Sequence, residues 1–260
     1  MDDLLRHIAA CNNAVLPGGR LRFWIGAAPV GWLLPDLARA LAVLPGVTAT
    51  DDAVRLAEDA AGTLPDLART LADAGWFRWR DEAFDIREQL GGPVLARIDR
   101  GALPKFGLMS EGAHVNGLVR RPNGLFLWVA RRAANKALDP RKLDHLVAGG
   151  VAAGMTPWQT LIKEAAEEAT IAPTLAETAV QVAEIGYAME RPEGLRRDLL
   201  YCYDLVLPEA FVPRAADGEV EAFYLWPIER VLETVRRTDD FKFNVNLVLI
   251  DLFRRTGLIS

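Results

Sequence analysis

The stretch that most restricts the fold is Gly149 to Ile171, GGVAAGMTPWQTLIKEAAEEATI, a glycine-rich turn followed by a short acidic helix. Gly149, Gly150 and Gly154 leave the backbone free for positive φ and for close approach by other groups. Thr156 ahead of Pro157 has the form of an N-cap with proline at the first helical position. From Trp158 to Ala169 good helix formers dominate, with no internal Gly or Pro. Glu164, Glu167 and Glu168 stand at i, i+3 and i+4, so their carboxylates leave one face of one turn. Like charges at that spacing weaken a helix by about 0.2–0.5 kcal/mol per pair. A hard divalent cation reverses the sign, because it binds carboxylate oxygens and keeps waters or phosphates as its other ligands. Taken alone, the carboxylates also suit a plain solvated face. The glycine loop ahead of them weighs toward the ion.

The totals limit what can surround this stretch. A chain of 260 residues has room for one large domain or two modest ones. The balance, 51% hydrophobic and 25% charged, is that of a globular protein. A net charge of −5 argues against a general surface for nucleic-acid polymers. The two cysteines, Cys11 and Cys202, are too few for a disulfide framework or a cysteine-rich zinc site. The opening MDDLLRHIAACNNA is amphipathic and acidic where a signal peptide is basic and then apolar. No run of about twenty apolar residues exists to span a bilayer. The expectation is a cytoplasmic protein with no membrane partner.

In chain order, residues 1–108 read as a smaller α/β domain and 109–260 as a second domain. Asp2–Cys11, Pro35–Leu44 and Leu64–Ala74 have helical spacing, and Leu21–Ile25 reads as a strand. Trp76–Arg80 (WFRWR) reads as a further strand, with Trp76 and Trp79 packed on the core or, in the sharper reading, stacked on a ligand ring. His114–Arg121 and Leu125–Arg131 read as a hairpin about Pro122-Asn123-Gly124. Ala179–Met189, Asp198–Leu207 and Ala222–Trp226 are strand-like, and Ile228–Val235 and Asn244–Thr256 are helical. Strands before and after an internal helix, with helices at the end, predict a mixed α/β sandwich.

Gly149 to Ile171 resembles the Nudix box, G-x5-E-x7-R-E-U-x-E-E-x-G-U, where U is bulky and aliphatic. Its first glycine falls on Gly149, its R-E pair on Lys163-Glu164, its E-E pair on Glu167-Glu168 and its last aliphatic on Ile171. Met155 stands in place of the early Glu, Lys163 in place of Arg and Thr170 in place of the late Gly, while Ala165 is a small version of the aliphatic position. The resemblance implies a Nudix α/β/α sandwich around a mixed sheet, with Glu164, Glu167 and Glu168 holding Mg²⁺ (Mn²⁺ as the alternative). It implies that Lys163 orients a glutamate, and that Glu219 or Glu221, in the phrase Asp217 to Phe223, completes the metal site or acts as base. Gly149 and Gly150 would contact phosphate, and Arg191, Arg196 and Arg197 would bind the diphosphate tail unless they form only a solvated basic turn.

Longer phrases, LDHLVAGGVAAGMT, RRDLLYCYDLVLP, DGEVEAFYLWP and FKFNVNLVLIDLFRR, are similar to one Nudix subfamily. It has an extra N-terminal domain and is related to the Nudix domain fused to fungal thiamine pyrophosphokinase. That resemblance implies a Mg²⁺-dependent diphosphatase acting on thiamine diphosphate, or its oxidised or damaged analogues, to give the monophosphate and phosphate. It also implies a homodimer. The alternatives are a Nudix hydrolase of nucleotides or nucleotide sugars, and a non-catalytic Nudix-like ligand-binding module, which Met155 and Thr170 would favour. An isopentenyl diphosphate isomerase needs a placed cysteine that neither Cys11 nor Cys202 matches.

Overall fold

The computed structural model describes residues 2–216 and 218–259. The first helix, α1 (Asp2–Cys11), is followed by two strands, β1 (Leu21–Ile25) and β2 (Ala28–Leu33). Helix α2 (Pro35–Ala42), strands β3 (Val47–Ala49) and β4 (Ala53–Leu56), and helix α3 (Leu64–Asp73) come next. The strands form a four-stranded sheet in the order β2-β1-β4-β3, parallel at β1–β4. Both helices open with proline in the first turn, where its missing N–H costs nothing. Leu37, Ala38, Leu41, Leu64, Leu67, Ala68 and Leu71 form their buried stripes. That core extends to a two-stranded ribbon, β5 (Ala83–Ile86) against β6 (Ala96–Asp99), and to the short α4 (Leu103–Phe106).

Trp76–Arg80 is not a strand. Its alternation of aromatic and basic residues belongs to a loop whose backbone is held from outside: the Asp99 carboxylate accepts from Arg80 N, Glu82 N and Gly101 N. Trp76, Phe77 and Trp79 pack half-buried against the first core.

The second sheet begins with the expected hairpin, β7 (Met109–Arg121) and β8 (Gly124–Arg132). Short strands β9 (Leu143–Asp144) and β10 (Val147–Gly150) pair with β8 and β7. Helix α5 (Pro157–Ala169) and the one-turn α6 (Pro173–Ala176) lead to β11 (Val180–Arg191), β12 (Gly194–Val206) and β13 (Val220–Pro227). The order is β11-β12-β7-β8-β13, parallel only at β12–β7 among these pairs. Helix α5 covers one face through Leu161, Ala165 and Ala169, with Val115, Val147 and Tyr203 beneath. Helices α7 (Ile228–Arg237) and α8 (Val245–Arg255) cover the other.

The boundary expected at residue 108 would group α1 with the first sheet. Helix α1 packs on the second domain, with Leu4 among Val231, Val235 and Leu249, and Cys11 beside Tyr187, Cys202 and Val248. Burial pushes both the Cys11 and Cys202 thiols up to about 12, which leaves them inert, small apolar residues.

Candidate functional site

The acidic helix is fixed at both ends. At its start Thr156 accepts from Gln159 N while the Gln159 side chain accepts from Thr156 N, a reciprocal cap. At its end Thr170 takes a left-handed conformation, φ 55° and ψ 38°. That is the conformation for which glycine is favoured, and here the Thr170 hydroxyl donates to the Arg214 carbonyl. The departure at Thr170 therefore keeps the turn that the late glycine of the box would make.

The three carboxylates sit differently. Glu167 is half exposed, Glu164 is 18% exposed and Glu168 is 7% exposed. Glu164 lies across Gly149 so closely that a Cβ there would meet its Cγ at 2.4 Å. Glu168 reaches under the same strand and accepts from Ala148 N at 2.9 Å. Lys163 bridges Glu164 (3.0 Å) and Glu167 (2.6 Å), and its ammonium is held well above the usual range by Glu167 and Glu164. Burial raises the Glu164 carboxyl, with Glu167 and Glu219 adding to it against Lys163. Burial also pushes Glu168 up to about 8, opposed by the Ala148 N–H and reinforced by Asp144, Glu164 and Glu219.

Glu219 is thus near both inner carboxylates. Burial would raise it, yet Lys136, Arg100 and Arg132 hold it below the usual carboxylate range. Glu221 is exposed on β13. Of the two downstream acids, both exposed, Glu219 is the one whose charge acts on Glu164 and Glu168. Asp217, from the same phrase, lies outside the described residues.

Alongside this acid cluster a narrow cleft of about 90 Å³ runs between the two domains. Ala148, Gly149 and Gly150 form one edge, Phe84, Arg100, Leu103 and Pro104 the wall from the first domain. Gly112, His114, Arg196, Asp198, Lys242 and Asn244 complete the lining. Phe84 lies on Gly150, where a Cβ would meet its ring at 2.7 Å. The aromatic that the first domain brings to the cleft is therefore Phe84. Trp76 and Trp79 do not line it.

The three arginines expected at the diphosphate separate. Arg191 pairs with Asp139 and Glu193 and lies over Phe243. Arg197 donates to the Gly107 and Val30 carbonyls and ties the domains together. Arg196 does line the cleft, bound to Glu193 and Asp198.

Sequence reading passed over a buried polar cluster behind the glycine edge. His114, Asp144 and His145 bring their ligand atoms within 4.8 Å of one another, a candidate metal cluster. Asp144 is already paired with Arg132 at 2.7 Å and faces Lys242 at 3.7 Å. Burial opposes its ionisation, but Lys242 and Arg132 win and hold its carboxyl far below the usual range. Burial lowers both histidines, His145 to about 4, so both are neutral, joined Nδ1 to Nδ1 at 3.0 Å. A metal ion here would meet two fixed cations across one carboxylate, which favours a structural role.

The glutamate face fits a hard divalent ion better. Its donors are all oxygen, Glu168 accepts from the Ala148 N–H rather than from a cation, and burial, with mutual repulsion adding to it, raises two of its carboxyls.

Comparison with known proteins decides the family. Residues 111–246, a little over half of the chain, match the NUDIX domain model. The chain belongs to the Nudix family. Residues 3–110 match a separate domain of unknown function, DUF4743. Two relatives from Arabidopsis thaliana, "Nudix hydrolase 24, chloroplastic" and "Nudix hydrolase 20, chloroplastic", are 43% and 41% identical over 180 residues. Those residues cover 69% of this Nudix chain but 49% and 48% of theirs, so it spans about half the length of these curated relatives. Among solved structures, DR0079 from Deinococcus radiodurans matches with a TM-score of 0.52 at 19% identity, covering 66% of this chain and all of that one. That likeness establishes the shared fold. No helix among the described residues is long and apolar enough to cross a membrane.

Proposed function

We propose that the protein is a divalent-metal-dependent hydrolase of a diphosphate-linked small molecule. The observation that carries this reading is the convergence of Glu164, Glu168 and Glu219 beside a glycine-edged cleft, with Lys163 clamping Glu164 to Glu167. Glu164, Glu167 and Glu168 are the residues that would hold the ion, Mg²⁺ by their all-oxygen chemistry. When bound, such an ion neutralises phosphoryl oxygens and lowers the pKa of a coordinated water. Lys163 keeps two of the carboxylates at a fixed separation, and Glu219, ionised beside Lys136, accepts the proton of the attacking water. Water adds to one phosphorus, the bridging P–O bond breaks, and two phosphoryl products leave.

The plant relatives are named Nudix hydrolases, which supports the same activity here. Within this class, thiamine diphosphate and its oxidised analogues are our first candidates, on the likeness of the phrases downstream of the box. Nucleoside diphosphate compounds are the alternative. The left-handed Thr170 removes one reason for regarding the box as decayed.

The test is phosphate release with Mg²⁺ from thiamine diphosphate, its oxo analogue and 8-oxo-dGTP, with ADP-ribose followed through a coupled phosphatase. Glu167→Gln and Glu168→Gln should each reduce turnover at least about 100-fold. Turnover of the nucleotides alone would discard thiamine and keep the mechanism. Full activity in both variants would remove the metal helix from the reaction.

A further inference from the structure

The buried cluster behind the cleft has an unbalanced charge. Asp144 is one carboxylate facing two cations, Arg132 at 2.7 Å and Lys242 at 3.7 Å. His114 and His145 are neutral and contribute no charge. Arg132 makes the hydrogen bond to Asp144, and Lys242 stands beyond that distance with its side chain 12% exposed. Burial depresses the Lys242 ammonium, and Arg132, Arg196 and Arg100 depress it further against the pull of Asp144. A buried ammonium that shares its one carboxylate with a closer arginine is short of counter-charge unless another group supplies it.

That group can arrive from one side, because Lys242 lines the interdomain cleft. Two residues on, Asn244 lines it too, 5% exposed, with its side-chain Oδ1 buried and unpartnered. The same amide carries an NH₂ group able to donate to an anion. At the rim stands Arg100 from the first domain, over the ring of Phe84, half exposed and paired with the partly exposed Glu82 at 2.7 Å, a partner it can share with an incoming anion. The acids of the cleft are engaged elsewhere. Asp198 accepts from Ser110, Tyr187 and Arg196, and Glu111 accepts from Tyr201. Arg196 is neutralised by Glu193 and Asp198.

We propose that Lys242 and Asn244 form the floor, and Arg100 the rim, of a phosphoryl-binding subsite in the interdomain cleft. It takes the phosphoryl group of the substrate that lies away from the acidic helix, and the identity of that group rests on the diphosphatase reading above. The first domain then contributes directly to substrate binding through Arg100. This also gives a role to the FKFN phrase, in which Lys242 is delivered by pairing of Phe241 with Leu143 of β9.

The experiment uses the full chain in EDTA, so that no divalent ion contributes, titrated calorimetrically with inorganic phosphate and pyrophosphate. Wild type should bind pyrophosphate. Lys242→Met should weaken binding at least about tenfold, Arg100→Ala a few-fold, and Lys242→Arg should retain it. Lys242→Met leaves Asp144 and Arg132 as a balanced pair. Should it fail to fold, Arg100→Ala and the wild-type side-chain amide resonance of Asn244, which should shift on titration, carry the test. Glu167→Gln should bind as wild type does, which separates this subsite from the metal helix. No pyrophosphate binding by wild type at millimolar concentration, unchanged binding in folded Lys242→Met, or an unmoved Asn244 resonance would each overturn the proposal. Loss of hydrolysis with binding intact would instead strike the diphosphatase reading.

Discussion

Replacing Glu168 by Gln should make the metal-free protein more stable at high pH while abolishing its activity. The Glu168 carboxyl, ordinarily at 4.5, is pushed up to about 8 by burial, with Asp144, Glu164 and Glu219 adding repulsion. A carboxyl raised in the folded state holds its proton longer there than in the unfolded chain. Its contribution is therefore fully present below pH 4.5 and is lost as pH rises through 8. Between pH 5 and pH 9 this linkage removes about 4 kcal/mol from the wild type. Gln keeps an oxygen for the Ala148 N–H and has no charge to bury. Urea unfolding in EDTA at pH 5, 7 and 9 should show the variant gaining on wild type by about 4 kcal/mol across the series. A divalent ion should reverse the ranking, because the wild type can trade its proton for the ion. Calorimetry in buffers of different ionisation enthalpy should then show close to one proton released per ion at pH 7 for wild type, and none from this site in the variant. A pH-independent stability difference between the two proteins would refute the reasoning, because it would mean that Glu168 is not a buried, proton-holding carboxyl.

Gly149→Ala places a Cβ 2.4 Å from Glu164 Cγ, which must move. Turnover should fall about 100-fold with about 1–3 kcal/mol of stability lost, as read by steady-state kinetics beside urea unfolding. Asp99→Ala strips the acceptor from Arg80, Glu82 and Gly101 N–H groups. Because Asp99 is 3% exposed, the cost should be about 2–4 kcal/mol in chemical denaturation. At Thr170, Gly relieves the left-handed strain but gives up the bond to Arg214, so stability should change by less than about 1 kcal/mol. Val at the same position keeps the strain and loses the bond, and should cost about 1–2 kcal/mol. Asp85→Ala removes the acceptor for Gly154 N–H, at 3.0 Å, from the first domain, and should raise KM about tenfold while lowering kcat by less than about threefold, as read by steady-state kinetics.

What was legible in the sequence followed from local chemistry. Thr156-Pro157, the uninterrupted helix formers and the i, i+3, i+4 glutamates are all properties of one segment, and α5 begins and ends where they place it. The long strands β11 and β12 were equally plain, because each carries its own β-prone run. Trp76–Arg80 misled for the opposite reason. Its alternation is strand-like, but Asp99, nineteen residues from Arg80, takes its backbone donors and makes it a loop. The strands β3 to β6 are three or four residues long, too short to show a period. Lys242 stood inside a phrase that drew attention by resemblance alone. Nothing near it in sequence says that it will face Asp144 across the sheet. The basic turn around Arg191, Arg196 and Arg197 offered three equivalent cations; Arg196 keeps its local partner Asp198, and the long-range partners Asp139 and the Gly107 carbonyl set Arg191 and Arg197 apart from it.

Those long-range contacts bear on why the first domain is attached at all. The glycine loop is a surface loop of the second domain, yet its backbone is held by the first: Ala153 N donates to the Ala83 carbonyl and Gly154 N to the Asp85 carboxylate. Phe84, between those two acceptors, presses on Gly150, the last residue of β10. The strand β5 therefore fixes the loop that lies between Glu168's hydrogen-bond partner, Ala148, and the start of the acidic helix. On the other side Gly31 admits the Phe106 carbonyl, with 2.3 Å where a Cβ would be, and Gly194 admits Pro104 at the same separation. A side chain at Gly194 would push the two domains apart beside the cleft, and one at Gly31 would displace α4 on the first sheet, because the atoms they meet are backbone and cannot rotate away. Helix α1, tied to the far side through Arg6 at Asp239 and the Val235 carbonyl, carries the chain's first segment around the second domain before the first begins. The two domains thus share a loop, a cleft and a strap. A separated Nudix half would keep its acidic helix but lose Arg100, Phe84 and the anchors of the glycine loop, so substrate binding should suffer in it before metal binding does.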